Sequence, residues 1–334
     1  MQTVVDGSVA MTARTLDHAR KVPACLLCGR STEITFLQRL RSIDLQRLWR
    51  KAYGSDRVLT ADLESTGEIW FCKCESCDLR FFSPTIAGSV EFYTALHANA
   101  LPYRSNKREF RLAARFLSQS DRVLEVGCGV GAFAELLGIE SYTGLEINPD
   151  AVRAGRDRGL NILHQTIEEH ALSAREQYDF VCSFQVMEHV ASVSSFMRAC
   201  VRCLKPGGLL VHCVPSEDSF LKHLSNDVLN LPPHHVTRWT DRVLTNAAGL
   251  FGLDLVQVVH EQLEDCHLRI YSRAVAISSL ARILKRAPKL ADMSVARKII
   301  GVAASCVAVL VEMGMRDPHL RGRGHTVAAV YRKK

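Results

Sequence analysis

The segment Asp121-Arg-Val-Leu-Glu125-Val-Gly127-Cys-Gly129-Val-Gly131-Ala-Phe-Ala-Glu-Leu-Leu137 sets a short apolar strand, a turn with three glycines and an amphipathic helix in immediate succession. Few architectures accept that order. Glycine lacks a Cβ, so it permits a tight turn and lets a ligand approach the backbone amides, as happens at the carboxyl end of the first strand in an open α/β sheet. Downstream, apolar runs at residues 142–145, 180–183 and 209–214 alternate with helix-like stretches. That rhythm predicts βαβ units around a mostly parallel, Rossmann-like sheet with helices on both faces. Two later runs, 253–259 and 325–331, are expected as edge strands.

The chain has 334 residues, 47% hydrophobic and 23% charged, with ten prolines, so it can bury a large core and is neither disordered nor collagen-like. No apolar stretch of about 7–15 residues precedes a small-residue cleavage site near the N-terminus, so a cytoplasmic location is expected. There the twelve cysteines would stay reduced. The apolar run 299–311 is too short to span a bilayer and is expected as a buried helix, with peripheral membrane contact left open. The net charge of +7 is unevenly spread: residues 271–334 hold thirteen Lys and Arg against Asp292, Glu312 and Asp317. Such a part reads as a solvated basic face or as attraction to an anionic substrate or surface. No nucleic-acid-binding module is recognisable, and the oligomeric state is not legible.

Two CxxC pairs, Cys25-Leu-Leu-Cys28 and Cys74-Glu-Ser-Cys77, are separated by 45 residues, with Cys72 as a competing ligand. Four thiolates satisfy one tetrahedral Zn²⁺, and such a site is closed and structural because no coordination position is left for water or substrate. The intervening residues would then form an insertion, with a helix-like stretch around 37–53. A thioredoxin-like redox pair is the alternative, but neither pair follows a strand of a βαβ unit.

Twenty-one residues after Glu125, Glu146 ends the second expected strand, where a carboxylate can accept both hydroxyls of a ribose. The pattern Gly127-x-Gly129-x-x-Ala132 also satisfies a dinucleotide fingerprint, so the loop alone leaves an NAD(P)-dependent oxidoreductase open. Further landmarks follow in order: Tyr178-Asp-Phe-Val-Cys-Ser-Phe-Gln-Val-Met-Glu188-His189-Val190, and Leu204-Lys-Pro-Gly-Gly208 before an apolar strand. Together these resemble the class I S-adenosylmethionine-dependent methyltransferases over about residues 105–262. The resemblance implies that Glu125, Gly127, Gly129 and Gly131 lie around the methionine part of the cofactor. It places Glu146, with Ile147 beside it, at the ribose, Thr166 and Ile167 near adenine, and Gln185 beside cofactor and substrate. Glu188-His189 reads first as helix packing or capping.

With the cysteine pairs upstream, the chain further resembles methyltransferases with an N-terminal zinc-binding domain, some of which methylate nucleotide-linked sugars. That resemblance implies S-adenosylmethionine and structural zinc as cofactors, with Cys25, Cys28, Cys74 and Cys77 as ligands. The cysteine clusters, the helix-like stretch after them and the βαβ rhythm from Asp121 onward divide the chain into a flexible N-terminus (1–21), a zinc-binding module (22–88), a helical connector (89–120) and a methyltransferase domain with a basic C-terminal part (121–334). The resemblance also points to Tyr103, in Leu101-Pro-Tyr103-Arg-Ser105, as a residue near the reaction centre. His234 and His235, in Pro232-Pro-His234-His235-Val-Thr-Arg238, stand where that group carries a Glu-His pair. His235 is then the candidate base and His234 its orienting or substrate-binding neighbour. O- or C-methylation of a sugar, glycan or related small molecule, with an anionic acceptor as one option, is the expected activity. A non-catalytic zinc-containing adaptor is the remaining alternative.

Overall fold

The computed structural model describes residues 11–12, 22–99 and 107–334. The expectations for residues 1–21, apart from Met11–Thr12, and for Tyr103 lie outside them. Two sheets organise these residues. The larger contains β5 (Val123–Val126), β6 (Tyr142–Glu146), β7 (Ile162–His164), β8 (Tyr178–Phe184), β9 (Leu204–Pro215), β11 (Leu253–Gln262) and β12 (Arg323–Lys333) in the order β11-β12-β9-β8-β5-β6-β7. Strands β5 to β9 run parallel, whereas β12 is antiparallel to both neighbours. The smaller sheet, all antiparallel, orders β1 (Met11–Thr12), β2 (Ile34–Arg41), β3 (Glu68–Cys74) and β4 (Arg80–Ser83) before β10 (Thr237–Arg238).

Side-chain alternation along the strands divides the core into two layers, because successive residues of a strand point to opposite faces. Leu124, Val126, Val181, Leu210 and Tyr331 face one layer, together with helices Val193–Cys203 and Asp241–Leu250. Val123, Phe180, Cys182, Val211 and Val330 face the other, where Phe110, Phe133 and Phe184 pack ring to ring at 4.8–5.4 Å. The first layer continues without interruption into the cysteine module through Cys25, Leu27, Phe36, Leu79 and Phe81. Thr240 Oγ1 donates to Asp78 Oδ2 at 3.0 Å and Asn246 Nδ2 to the Cys77 carbonyl at 3.2 Å. The two parts therefore share a core.

Three sequence expectations change. Residues 37–41 belong to β2, because Leu40 pairs with Ile69 across the sheet, and the helix begins only at Ser42. The run 325–331 is not an edge strand, since β12 inserts between β9 and β11 and buries Val327 to Tyr331 completely. The run 299–311 lies in helix Val295–Gly314, which buries only Ile300, Gly301 and Ala304. Among the described residues it packs chiefly on helix Asp265–Ile283, so one face is covered and the rest stays exposed. No helix among the described residues is long and apolar enough to cross a membrane.

Candidate functional site

The chain proceeds from β5 through β6 and β7 toward one edge, then returns to β8 on the other side of β5. The carboxyl ends of β5 and β8 thus flank a switch point, where open α/β sheets bind ligands. The glycine turn occupies it. Gly127 and Gly131 have φ of +71° and +82°, in the left-handed region. A Cβ at Gly127 would come within 2.6 Å of Val186 Cγ2, and one at Gly131 would collide with Leu160. Only glycine lets the loop lie this close to its neighbours.

Glu146, at the carboxyl end of β6, accepts the Gly129 amide on Oε2 and the Ile147 and Asn148 amides on Oε1, each at 2.8 Å. A carboxylate offers about four acceptor sites. One remains, so in this arrangement Glu146 can accept one ribose hydroxyl and takes a second only by releasing an amide. Ile147 is half exposed beside it, and its carbonyl is bonded at 2.9 Å by His164 at the end of β7. Thr166 caps helix Ile167–His170 in a reciprocal box with Glu169, with Ile167 buried. Gln185 follows β8 with φ of +59°, and its Nε2 donates to Thr326 Oγ1 at 3.3 Å. Glu125 points inward: it is buried, accepts the Tyr142 hydroxyl at 2.6 Å, and its pKa is pushed up by burial to about 8.

Replacing Glu146 by alanine removes a charged acceptor and unties three loop amides. S-adenosylmethionine affinity is expected to fall roughly ten- to a hundredfold, the equivalent of about 1.5–3 kcal/mol. Isothermal titration reads this directly. Unchanged affinity would place the ribose elsewhere.

Cys25, Cys28, Cys74 and Cys77 converge, with sulfur atoms all within 4.8 Å of one another. Cys25 Sγ lies 3.5 Å from Cys77 Sγ, and Cys28 Sγ lies 3.6 Å from Cys74 Sγ. Zn–S bonds of about 2.3 Å in a tetrahedron put sulfurs about 3.8 Å apart, so the four residues fit one ion. The two turns repeat each other. Gly29 N donates to the Cys25 carbonyl at 2.9 Å and Asp78 N to the Cys74 carbonyl at 2.8 Å, and both Gly29 and Asp78 have positive φ. Hydrogen bonds from Cys25 and Cys77 draw the Cys74 thiol's pKa down, while those of Cys25 and Cys77 rise. A cation is needed to hold all four as thiolates. Cys72, the competing ligand, lies outside this cluster, with its Sγ 3.6 Å from the Trp70 carbonyl.

His189, His234 and His235 come together where the cysteine module meets the sheet. Their ring centroids are 4.4–4.9 Å apart, and His234 and His235 are 9% and 6% exposed, so the pair is not a surface loop. Trp49 donates from Nε1 to the Pro232 carbonyl at 3.1 Å, and Phe92 and Tyr93 flank His234. His235 Nδ1 faces Asn230 Oδ1 at 3.0 Å, and His189 Nδ1 faces the His234 carbonyl at 2.7 Å. Both oxygens accept, so each Nδ1 carries a hydrogen, and in the neutral His235 ring Nε2 then keeps its lone pair. Burial and the neighbouring histidines hold the His235 pKa well below the ordinary value. One ring nitrogen from each of the three lies within 4.8 Å of the other two, close enough to make the cluster a candidate metal site.

Sequence reasoning overlooked Asn230, five residues before His235, and did not bring Tyr93 to the histidines. A polar residue between two apolar ones in Leu229-Asn230-Leu231 was the available signal for Asn230. It also read Glu188 as packing. Glu188 is 1% exposed, neither carboxyl oxygen has a hydrogen bond among the described residues, and Oε1 lies 3.8 Å from His189 Nε2.

Burial pushes the Glu188 pKa to about 8, against about 4.3 when unfolded. The folded chain then keeps a proton that the unfolded chain releases between these values. Stability from this group is full below about pH 4.3 and is lost as pH rises toward 8. Glu188→Gln cannot ionise, so its melting temperature relative to wild type is expected to rise by several degrees between pH 5 and pH 8. A difference that does not vary with pH would mean that the carboxylate is charged and partnered in the folded chain.

Residues 98–258 match the family described as "Methyltransferase domain". Curated relatives include the ubiquinone biosynthesis O-methyltransferases of Klebsiella pneumoniae and Erwinia tasmaniensis, 37% and 38% identical over 95 residues. Each match covers 26% of this chain and 39% of the relative, so the chain spans about two fifths of the length of these proteins. Among solved structures, a SAM-dependent methyltransferase from Archaeoglobus fulgidus is 21% identical, covering 74% of this chain and 95% of that one with a TM-score of 0.45. The family match includes the glycine turn, Glu146 and the three histidines, and the sheet that carries the first two has the mixed α/β order described above. The chain therefore matches a methyltransferase domain across residues 98–258, just under half of its length.

Proposed function

We propose that the chain is an S-adenosylmethionine-dependent methyltransferase that methylates a hydroxyl of a sugar, glycan or related small molecule, with zinc held structurally by its four cysteines. The observation that carries this reading is the buried histidine cluster, built from one part of the chain and walled by the other. His189 follows the fourth parallel strand, while Trp49 and Phe92 of the N-terminal part close over His234. O-methylation is favoured over C-methylation for two reasons: a neutral imidazole removes a hydroxyl proton without the carboxylate missing at position 234, and the relatives above are named O-methyltransferases. The four reduced thiols suit a cytoplasmic setting.

Bound at the glycine turn and Glu146, the cofactor supplies a sulfonium methyl group for in-line displacement. The chain's own task is alignment and proton removal, and alignment alone supplies much of such a rate. His235 takes the acceptor's proton on Nε2 while Asn230 holds its Nδ1–H, which fixes both the tautomer and the ring plane. Tyr93 and Trp49 keep water from the cluster by packing on His234. Tyr103 is carried as an acceptor-positioning residue on resemblance alone.

Calorimetry with S-adenosylmethionine, S-adenosylhomocysteine, NAD and NADP separates this reading from its rivals. Binding of the first two alone is expected. Transfer of a labelled methyl group from S-adenosylmethionine to a panel of sugars, glycans and quinols then names the acceptor. Binding of NAD or NADP, or of none of the four, would overturn the proposal.

A further inference from the structure

Helix Val295–Gly314 turns an apolar stripe outward. Val295, Ile299, Val302, Val309, Leu310 and Met313 are between 56% and 75% exposed. At 100° per residue they fall within an arc of about 100°, opposite Ile300 and Ala304, which pack on Ala276 and Ile277 of helix Asp265–Ile283. With 1.5 Å of rise per residue the stripe is about 27 Å long. Ordinary soluble surfaces scatter apolar residues singly, and a continuous band of this kind marks an interaction face.

Charge identifies what covers it. The turn between the two helices exposes Ile283 and Leu284 at 72% and 58%, set among Arg282, Lys285, Arg286 and Lys289, all exposed. Arg297 and Lys298 follow at the start of the striped helix, and Asp292 is the only acid across 282–298, so this segment carries +5. An apolar stripe with a basic cluster at one end matches a helix lying in the plane of an anionic bilayer, its apolar face in the headgroup–acyl boundary and its cations on the phosphates. The helix is not long and apolar enough to cross, so it lies on the surface.

We propose that this hairpin docks the chain on an anionic lipid membrane through the outer stripe of helix Val295–Gly314 and the basic turn. The docked segment adjoins the histidine loop. Asp292 N donates to Asn226 Oδ1 at 2.7 Å and Asn226 Nδ2 to the Asp292 carbonyl at 2.8 Å, four residues before the Asn230 that orients His235. Docking itself does not depend on which acceptor the enzyme methylates.

The test is sedimentation of the full chain with vesicles of phosphatidylcholine alone and of phosphatidylcholine mixed with phosphatidylglycerol, alongside size-exclusion chromatography. Wild type is expected to partition at least tenfold more strongly to the anionic vesicles, with the preference lost near 1 M salt, where the Debye length is about 3 Å. V302E/L310E, in an exposed face, should fold normally by circular dichroism and lose vesicle binding. R282E/K285E/R286E/K289E should lose the anionic preference. Three results would overturn the proposal: no binding to either vesicle, binding that survives both variants, or a wild-type dimer that V302E/L310E dissociates. The last would assign the stripe to a second copy of the chain.

Discussion

Replacing His235 by alanine is expected to lower turnover about 10²- to 10⁴-fold, the range for removing a general base, while S-adenosylmethionine affinity stays within about twofold. The separation follows from position, because the residues proposed to hold the cofactor lie on β5 to β8 and their loops, whereas His235 stands on the loop before β10. His235 is held well below the ordinary histidine pKa by burial and by His234 and His189, so it remains neutral across the physiological range. Wild-type turnover at saturating cofactor is therefore expected to stay flat as pH falls through about 6.5, where an ordinary imidazole would protonate and the rate would drop. Asn230→Ala should act more weakly, because it frees the ring to change tautomer without removing it. Wild-type turnover in the His235 variant would pass the base role to His189, the neighbouring ring of the cluster.

The second large effect is expected at the cysteines. Elemental analysis should find about one zinc per chain, and Cys74→Ser should release it and unfold the five-stranded sheet. A structural zinc contributes about 10–16 kcal/mol of apparent binding energy, more than a sheet of this size holds in reserve. The damage should spread in a specific direction. Trp49 and Phe92, which close over His234, rest on the core shared with Ile69, Phe71 and Phe82 of the module. Turnover should therefore fall much further than cofactor affinity. A metal-free wild type that is folded and active would remove zinc from the structure altogether.

The parallel strands and the glycine turn were legible because their signals are local. A run of β-formers followed by glycines that alone tolerate left-handed backbone needs no distant partner to be recognised. The two CxxC turns were legible for the same reason, since each makes its own hydrogen bonds around the ring closed by Gly29 or Asp78. The helical reading of 37–41 failed because a cross-strand pairing with Ile69, invisible locally, outweighed propensity. The strand 325–331 was found, but its place between β9 and β11 depends on which neighbours remain unpaired once the sheet is assembled.

By itself, the sequence determined the α/β class, the glycine turn after the first parallel strand and the four-cysteine set, all of which rest on short-range backbone and spacing rules. Only the tertiary structure decided that the cysteine module and the sheet share one core, that His189 meets the adjacent His234 and His235 beside Trp49, and that the apolar run near the C-terminus faces outward. Each of these depends on contacts between segments tens to hundreds of residues apart. Burial, and with it the raised pKa of Glu188 and the lowered pKa of His235, comes into being only when those segments close on one another.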